Sequence, residues 1–381
     1  MTQQTKKAVR ITAIVLASII GAMLLLVGGY VVYVIAQYYR IDDKTALEIH
    51  NNETKLVEMG KEYSVMSYNV GFGSYSPEYT FFMDEGTMND GTKTVGTHAK
   101  GIDKADVDKN VTGQAAVAKR VKADFYFFQE VDEQADRSYK INMLERLSQA
   151  VDGYGYTYAI NFHTANLLYP FNDPIGKTTS GLLTLSRYEM ASGVRRSFPV
   201  TTALIDKLFD LDRCFAMHYL PIQGSTKMLV LINLHMSAYD EGGTIRALQL
   251  QMLNEVLSQE LAKGNYVIAG GDFNHCLIAD QFDTDEMALQ YFKSQQQIPE
   301  WVKNSVLHNS ELADGFIIAA SLNASTCRGA DMVYQKGVTY STVIDGFIVS
   351  NNVRIVTEYT EDVDYAYSDH NPVHFQFKLK A

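Results

Sequence analysis

The chain has 381 residues, of which 46% are hydrophobic and 20% are charged, and its formal net charge is −11. This is an ordinary globular composition, which excludes a low-complexity or disordered chain. The acidic balance argues against an extended nucleic-acid surface, because such surfaces need clustered Lys and Arg. The three cysteines are too scattered for a disulfide framework or a CxxC metal site, and Cys276 is interpreted as a small packed residue.

One segment is long and apolar enough to cross a membrane. Residues 11–39 contain no Asp, Glu, Lys or Arg, and a bilayer core of about 30 Å needs roughly 20 residues. Lys6, Lys7 and Arg10 precede the segment, so the positive-inside rule places the N-terminus in the cytoplasm and the rest of the chain outside. A cleaved signal peptide is the alternative, but its apolar region would be only about 7–15 residues long. We therefore predict a cytoplasmic segment at 1–10, one transmembrane helix at 11–39, and a single-pass protein of the cell membrane with an extracellular domain.

The remaining sequence alternates strand-like and helix-like segments. Residues 40–61 are predicted to be a linker, either a tether or a short helix, and residues 71–109 a long loop. Apolar or alternating runs predict strands at 63–69, 125–129, 156–161, 182–185, 214–219, 228–234, 266–269, 343–349 and 374–379. Helical spacing predicts helices at 111–121, 140–151 and 244–261, and residues 276–340 read as irregular with helical pieces. Strands that alternate with helices but also form hairpins predict an α/β sandwich rather than a doubly wound sheet.

The most informative stretch is YVIAGGDFNH at 266–275, in which an apolar run and two glycines precede Asp272 and Asn274. These two side chains point the same way if the chain is extended, so both can face one bound group. A turn in which Asp272 accepts a backbone hydrogen bond is the structural alternative. Asp345 lies inside an otherwise apolar strand, where a buried carboxylate needs a partner, and His370 is a suitable one.

Other polar residues stand at or near the ends of predicted strands: Asn69, Glu130, His235 and Asp369. Asn69 and Asp369 could instead be turn residues, and His235 could be a hydrogen-bonded core histidine.

The ordered set of these residues resembles the endonuclease/exonuclease/phosphatase superfamily. The resemblance covers about residues 62–380 and rests on Asn69, Glu130, His235, Asp272-Phe273-Asn274, Asp345 and Ser368-Asp369-His370. It implies one catalytic domain at 62–381, built as a four-layer α/β sandwich of two mixed β-sheets flanked by helices. It also implies metal-dependent hydrolysis of a phosphoester by water attack at phosphorus.

The resemblance assigns metal and base roles to five residues. Glu130 matches the principal metal ligand, with Asn69 and Asp369 close by. The implied ion is Mg²⁺, with Mn²⁺ as the alternative, because hard oxygen ligands suit these ions. His370 is the candidate general base, and Asp345 would hold its ring and stabilise the imidazolium.

The other site residues would position water and phosphate. Asp272 and Asn274 would orient the attacking water, and whether Asp272 or His370 removes its proton stays open. His235 would donate to phosphate oxygens in the transition state. His163 matches a region where many family members place a phosphate-contacting His or Tyr, although a loop histidine is often merely solvated.

One position departs from the family pattern. Abasic-site endonucleases carry an acid two residues after the first Asn, where this chain has Gly71. A second metal ligand is therefore missing, which moves the chain toward sphingomyelinase-like or general hydrolase members.

The leading hypothesis is a membrane-anchored, outward-facing, monomeric phosphodiesterase or phosphatase. Its substrate could be a phospholipid headgroup, nucleic acid or a small phosphoester, including a sugar phosphate or a cyclic dinucleotide. An extracellular nuclease is one alternative. A catalytically silent binding or scaffold protein on the same fold is another, which the filled polar positions disfavour.

Overall fold

The computed structural model describes residues 2–201, 212–238 and 243–380. The helices are α1 (Gln3–Gln37), α2 (Lys104–Val121), α3 (Met143–Ser148), α4 (Thr244–Ala262), α5 (Asp285–Leu289) and α6 (Glu300–Lys303). The strands are β1 (Thr45–Ala46), β2 (Glu62–Asn69), β3 (Glu85–Thr87), β4 (Lys93–Val95), β5 (Phe125–Asp132), β6 (Gly155–His163), β7 (Thr179–Ser186), β8 (Ser192–Ser197), β9 (Cys214–Pro221), β10 (Met228–His235), β11 (Tyr266–Asp272), β12 (Phe316–Ala319), β13 (Cys327–Arg328), β14 (Ser341–Thr342), β15 (Asp345–Ser350), β16 (Val353–Thr360) and β17 (Val373–Leu379).

Two mixed β-sheets lie face to face. The seven-stranded sheet has the order β1-β8-β9-β10-β11-β15-β12, and the six-stranded sheet has the order β16-β17-β2-β5-β7-β6. The pairs β10–β11 and β2–β5 are parallel, and the other pairs of these two sheets are antiparallel. The predicted hairpin of β9 and β10 is confirmed, with Gly224 at positive φ in its turn.

Alternation along the strands builds the four predicted layers. Phe125 and Phe127 of β5 pack between the sheets, whereas Tyr126 and Phe128 of the same strand pack with α2 and α3 on the outer face. On the other side, α4 packs its apolar residues against the outer face of the seven-stranded sheet. Each buried aromatic ring contributes about 1.5–3 kcal/mol by leaving water. The predicted sandwich of two mixed sheets flanked by helices is therefore confirmed.

Helix α1 differs from the predicted bounds of 11–39 at both ends. It begins at Gln3, where Thr2 caps it, and it ends at Gln37, so Tyr38 and Tyr39 lie beyond it. Its most apolar part is fully exposed, and the helix is long and apolar enough to span a membrane.

Residues 40–61 are neither a free tether nor a helix. β1 pairs with β8, the His50 N–H donates to the carbonyl of Tyr156 (2.9 Å), and the Val57 N–H donates to the carbonyl of Pro221 (3.1 Å). The extended conformation is favoured over a helix here because it lets this segment hydrogen-bond to the unpaired backbone groups at the sheet edges.

Several other boundaries also differ from the predictions. The predicted loop at 71–109 contains the hairpin of β3 and β4, and α2 begins within it because Asp103 caps the helix by accepting from the Asp106 N–H at 2.8 Å. Helix α3 is shorter than the predicted 140–151. Strands β8 and β16 were not predicted, because their charged and polar residues obscure the alternation.

The predicted apolar face of α4 is only partly buried. Leu253, Val256 and Leu257 lie in the core, but Leu248 is 44% exposed. Arg246 and Gln249 are buried instead. The buried face has therefore turned away from Leu248 toward these two polar residues.

Candidate active site

The register of three neighbouring strands brings three site residues side by side. His235 ends β10 opposite Asp272, the last residue of β11, and Asp272 lies opposite Asp345, the first residue of β15. All three side chains are at most 2% exposed. Residues that lie 37 and 73 positions apart in the sequence thus form one row at the edge of the seven-stranded sheet.

The six-stranded sheet contributes Asn69 and Glu130 to the same site. Asn69 ends β2, as predicted. Glu130 does not end its strand: it lies in an irregularity of β5 between Phe128 and Val131, with φ of 57°. A bulge of this kind re-aims a side chain. Glu130 is thereby within reach of Asn69, whose Nδ2 donates to its Oε1 at 3.3 Å.

Three side chains of the site lie around one carboxylate oxygen. Asp272 Oδ2 accepts from Asn69 Nδ2 at 3.0 Å and lies 3.3 Å from His235 Nε2 and 3.7 Å from His370 Nε2. The other oxygen, Oδ1, accepts from the Asn274 N–H at 2.9 Å. The predicted turn at Asp272 is therefore present through Oδ1, while Oδ2 faces the other site residues, and the catalytic role of Asp272 stays a prediction.

The predicted pairing of Asp345 with His370 is present. Asp345 Oδ2 and His370 Nδ1 are 2.7 Å apart, and both residues are buried. Ser368 shapes the turn before β17, since its hydroxyl donates to the carbonyl of Asn69 at 2.8 Å and accepts from the His370 N–H at 3.2 Å. This leaves His370 Nε2 directed at Asp272.

Two predicted residues have different surroundings. Asn274 Nδ2 donates to the carbonyl of Met236 at 2.9 Å, so this amide also joins the ends of β10 and β11. His163 stacks on Tyr39 with ring centroids 4.1 Å apart, and its Nε2 lies 3.8 Å from Asp212 Oδ2. The structure therefore groups His163 with residues near the end of α1, and its role in phosphate contact stays a prediction.

The electrostatics distinguish the two histidines. Burial lowers the pKa of His235 well below its usual value, so this imidazole is neutral. Burial also opposes a charge on His370, but the Asp345 carboxylate outweighs it and raises the pKa of His370 well above its usual value. Burial and the charge of Asp345 both raise the pKa of Asp272.

The donor set fits a divalent cation. Among the described residues, Asp272, Asp345 and His370 offer buried ligand atoms within 4.8 Å of one another. Glu130 and Asp369 are only partly buried. The pKa of Asp369 is raised to about 6, mainly because its carboxylate is poorly solvated and secondly because the Glu130 carboxylate is near. Carboxylates that repel one another in this way are stabilised by a bound cation.

Sequence reasoning did not identify two arginines near these acids. Arg137 donates to both oxygens of Asp132 (3.0 and 2.8 Å) and lies 3.9 Å from the ring centroid of Phe72. Arg328 is 1% exposed, and its charge lowers the pKa of Asp369. Both lie in polar stretches without clear periodicity, Arg137 directly after Asp136 and Arg328 three residues before Asp331, so no signal in the sequence set them apart.

Several solved structures are similar in architecture to this chain. A structure of ANGEL2, a 2′,3′-cyclic phosphatase, in complex with adenosine-2′,3′-vanadate has a TM-score of 0.52 and 14% identity, covering 88% of this chain and 99% of that chain. An endonuclease/exonuclease/phosphatase family protein from Leptotrichia buccalis C-1013-b has a TM-score of 0.50 and 11% identity, covering 83% and 100%. TDP2 from Caenorhabditis elegans has a TM-score of 0.49 and 16% identity, covering 84% and 75%. At such identities the first two similarities show the fold alone.

The sequence model of the Endonuclease/Exonuclease/phosphatase family matches residues 66–370, and the chain belongs to this family. Among proteins with curated descriptions, none matches the sequence. Members of the family are phosphoester hydrolases, so membership supports this class of reaction for the chain.

Proposed function

We propose that the protein is a metal-dependent phosphoester hydrolase, anchored in a membrane by α1, that cleaves its substrate by attack of water at phosphorus. The observation that carries this proposal is the convergence of Asn69, His235 and His370 on one oxygen of Asp272. The side chains grouped around this carboxylate can orient one water molecule, and Asp272 or His370 can take up its proton.

In this proposal Glu130 and Asp369 hold Mg²⁺, or Mn²⁺ in its place. These two acids supply oxygen ligands and are partly exposed, as an ion that shares its shell with water and substrate requires. Asn69, as oriented here, accepts from the Gly71 N–H at 3.0 Å and donates to two carboxylates. In this orientation Asn69 would position Glu130 and Asp272, and the rotated amide would instead present its oxygen to the ion. When bound, the ion supplies charge neutralisation at the phosphate and at the leaving oxygen.

The protein's own residues would supply the proton transfers. Asp345 fixes the ring of His370 through Nδ1, so that Nε2 is directed at the reacting water and at Asp272. Asp272 and His370 remain the two candidates for the general base. Neutral His235 would donate from Nε2 to a phosphate oxygen, and Asn274 would keep the loop after β11 in place.

Lys6, Lys7 and Arg10, in the first turns of α1 and ahead of its charge-free part, support an orientation with a cytoplasmic N-terminus and an extracellular catalytic domain. Protease protection in sealed membranes tests it: added protease should cleave the domain of right-side-out vesicles, and full protection of the domain would contradict the proposed orientation.

Substrate class and metal dependence can be tested together. The full chain in detergent would be assayed, with and without EDTA, on sphingomyelin, plasmid DNA, a nucleoside 2′,3′-cyclic phosphate, bis-(p-nitrophenyl) phosphate and p-nitrophenyl phosphate. We expect hydrolysis of a diester that EDTA abolishes and Mg²⁺ restores. Activity indifferent to EDTA would overturn the metal assignment, and activity on the monoester alone would favour a phosphatase.

Asp272→Asn tests the catalytic assignment itself. It should lower turnover by about 100-fold or more with the fold intact, because the amide cannot take up a proton. Asp364→Asn is the matched control, since Asp364 has a side chain that is 56% exposed. Hydrolysis that survives Asp272→Asn unchanged would overturn the catalytic assignment of Asp272. A wild-type chain inactive on every substrate and metal would instead favour a binding or scaffold protein.

A further inference from the structure

The loop between β6 and β7 exposes an unusual amount of apolar surface. Leu168 is 46% exposed, Tyr169 49% and Phe171 86%. Isolated exposed apolar residues are common on proteins, but three of them at the tip of one loop are typical of a surface that meets another apolar phase.

Hydrogen bonds connect this loop to the apolar helix α1. The hydroxyl of Tyr30 donates to the carbonyl of Asn166 at 3.2 Å and accepts from the Leu168 N–H at 2.9 Å. The hydroxyl of Tyr33 accepts from the Asn166 N–H at 3.4 Å. Along the axis of α1, the backbone of the loop therefore lies at the level of Tyr30 and Tyr33 rather than at the C-terminal end of the helix.

The depth of these tyrosines identifies what covers the loop. Tyr30 lies two helical turns before Gln37, which is about 10 Å along the axis. Tyr30 lies 20 residues after Arg10, the last charged residue before the apolar segment. Roughly 20 helical residues span a hydrocarbon core of about 30 Å, so a bilayer that holds α1 with Arg10 at one interface has its other interface near Tyr30. Tyrosines are common at that depth.

The connection between helix and sandwich keeps the loop at this level. Arg40 Nε and Asp212 Oδ1 are 2.9 Å apart, and the Ile41 N–H donates to Asp212 Oδ2 at 2.9 Å. β1 then pairs with β8 directly after the helix. Because the chain is bonded to the sheet edge from its first residues after α1, the domain cannot drift far from the membrane.

We propose that the loop at 166–171 is a second membrane contact, which inserts Leu168, Tyr169 and Phe171 into the interface of the leaflet from which α1 emerges. This inference rests on the proposed function, in which α1 spans a membrane. Side chains of this kind reach about 5–10 Å into the boundary between headgroups and acyl chains. The loop leads into the start of β7, which pairs with the residues of β5 directly after Glu130. The bilayer would therefore border the end of the sheet that carries the candidate site.

Tryptophan quenching by brominated phosphatidylcholine tests the inference on the full chain in vesicles. Trp301 is the single tryptophan, so Trp301→Phe gives a silent background. Phe171→Trp reports on the loop and Leu25→Trp on the anchor helix. Val356→Trp is the matched control, because Val356 is 41% exposed on β16, the edge strand farthest from β6.

We expect bromines to remove about half of the emission at positions 25 and 171, and about a tenth or less at position 356, since quenching requires contact with the acyl chains. Quenching at position 25 with position 171 no different from position 356 would overturn the loop contact while leaving the anchor intact. Loss of quenching at position 25 would overturn the anchor and the inference together.

Discussion

Each oxygen of Asp272 has a separate task. Oδ1 accepts a backbone N–H and fixes the turn after β11, whereas Oδ2 faces Asn69, His235 and His370. The residue type at this position follows from both demands, because only a carboxylate or an amide closes such a turn, and only a carboxylate can also take up a proton.

Asp345 acts through His370. Asp345→Asn should lower turnover by about 100-fold or more, since the amide no longer holds the imidazole in one tautomer or stabilises its charge. A pH–rate profile distinguishes this role from a structural one, because the limb that belongs to His370 should move to lower pH. An unshifted profile with equal thermal stability would contradict the assignment.

His218 gives a prediction at a residue outside the site. It is fully buried, 2.6 Å from the hydroxyl of Thr157, and burial lowers its pKa to about 4. The unfolded chain binds a proton at about pH 6.5 and the folded chain does not, so stability is complete above this pH and falls as the pH drops toward 4. The loss attributable to this group is up to about 3 kcal/mol.

Urea unfolding at pH 7 and pH 5 measures this effect. His218→Gln keeps a polar partner for Thr157 but cannot titrate, so its stability should change less between the two pH values than that of the wild type. His50→Gln, at a side chain that is 42% exposed, is the control. Equal pH dependence of wild type and His218→Gln would show that His218 does not carry the effect.

At the scale of elements, the ends of strands are shaped by backbone conformations that few residues adopt. Glu130 in β5 and Asn274 after β11 both have positive φ, and Gly71 follows β2 with φ of 49°. These conformations cost about 1–2 kcal/mol for residues with a Cβ. The packing around the site stabilises them. Glu130 and Asn274 each direct a polar side chain toward the end of the neighbouring strand.

Gly71→Ala tests how closely the turn after β2 approaches the site. An added Cβ would lie 2.7 Å from Tyr75 Cδ2 and 2.9 Å from Asp369 Oδ1. We expect a loss of about 10-fold or more in turnover and about 2–3 kcal/mol in stability. Gly60→Ala is the matched control, because Gly60 has φ of +72° and open space around it. Equal effects of the two substitutions would mean that backbone strain alone matters.

At the scale of the whole molecule, the anchor helix and the sandwich are one connected structure. Asp212 is buried and joins Arg40 at the helix exit to Arg195 within the sheet, 3.3 Å away. The exposed loop at 166–171 lies beside α1 as well, since Tyr30 and Tyr33 of the helix hydrogen-bond to its backbone. If α1 spans a membrane as proposed, substrate access would depend on how the domain lies on that membrane, and not only on the site.

Asp212→Ala should release this connection. It leaves the buried Arg195 without its acid, which costs about 3–5 kcal/mol. We expect faster protease cleavage within residues 40–57 of the full chain. Glu300→Ala, at a side chain that is 82% exposed, should leave cleavage unchanged. If Asp212→Ala resists the protease as well as the wild type does, the pairing of β1 with β8 alone holds residues 40–57 in place.

If the loop at 166–171 meets the bilayer, its apolar residues matter only for substrates in membranes. Phe171→Ser should lower turnover of phospholipid in vesicles several-fold and leave turnover of bis-(p-nitrophenyl) phosphate unchanged, because the site itself is untouched. The two substrates assayed on one preparation provide the comparison. A parallel loss on both would point to damage at the site instead.

The sequence by itself determined the strands that carry the site, the apolar helix and the identity of the acids and histidines, because apolar alternation and isolated polar residues are local signals. It did not determine the bulge at Glu130, the pairing of residues 40–61 with the sheet edge, the position of Arg137 over Phe72 or the burial of Arg328. These depend on which strand lies opposite, and only the tertiary structure decides that. The row of His235, Asp272 and Asp345 forms for the same reason, since strand register sets it.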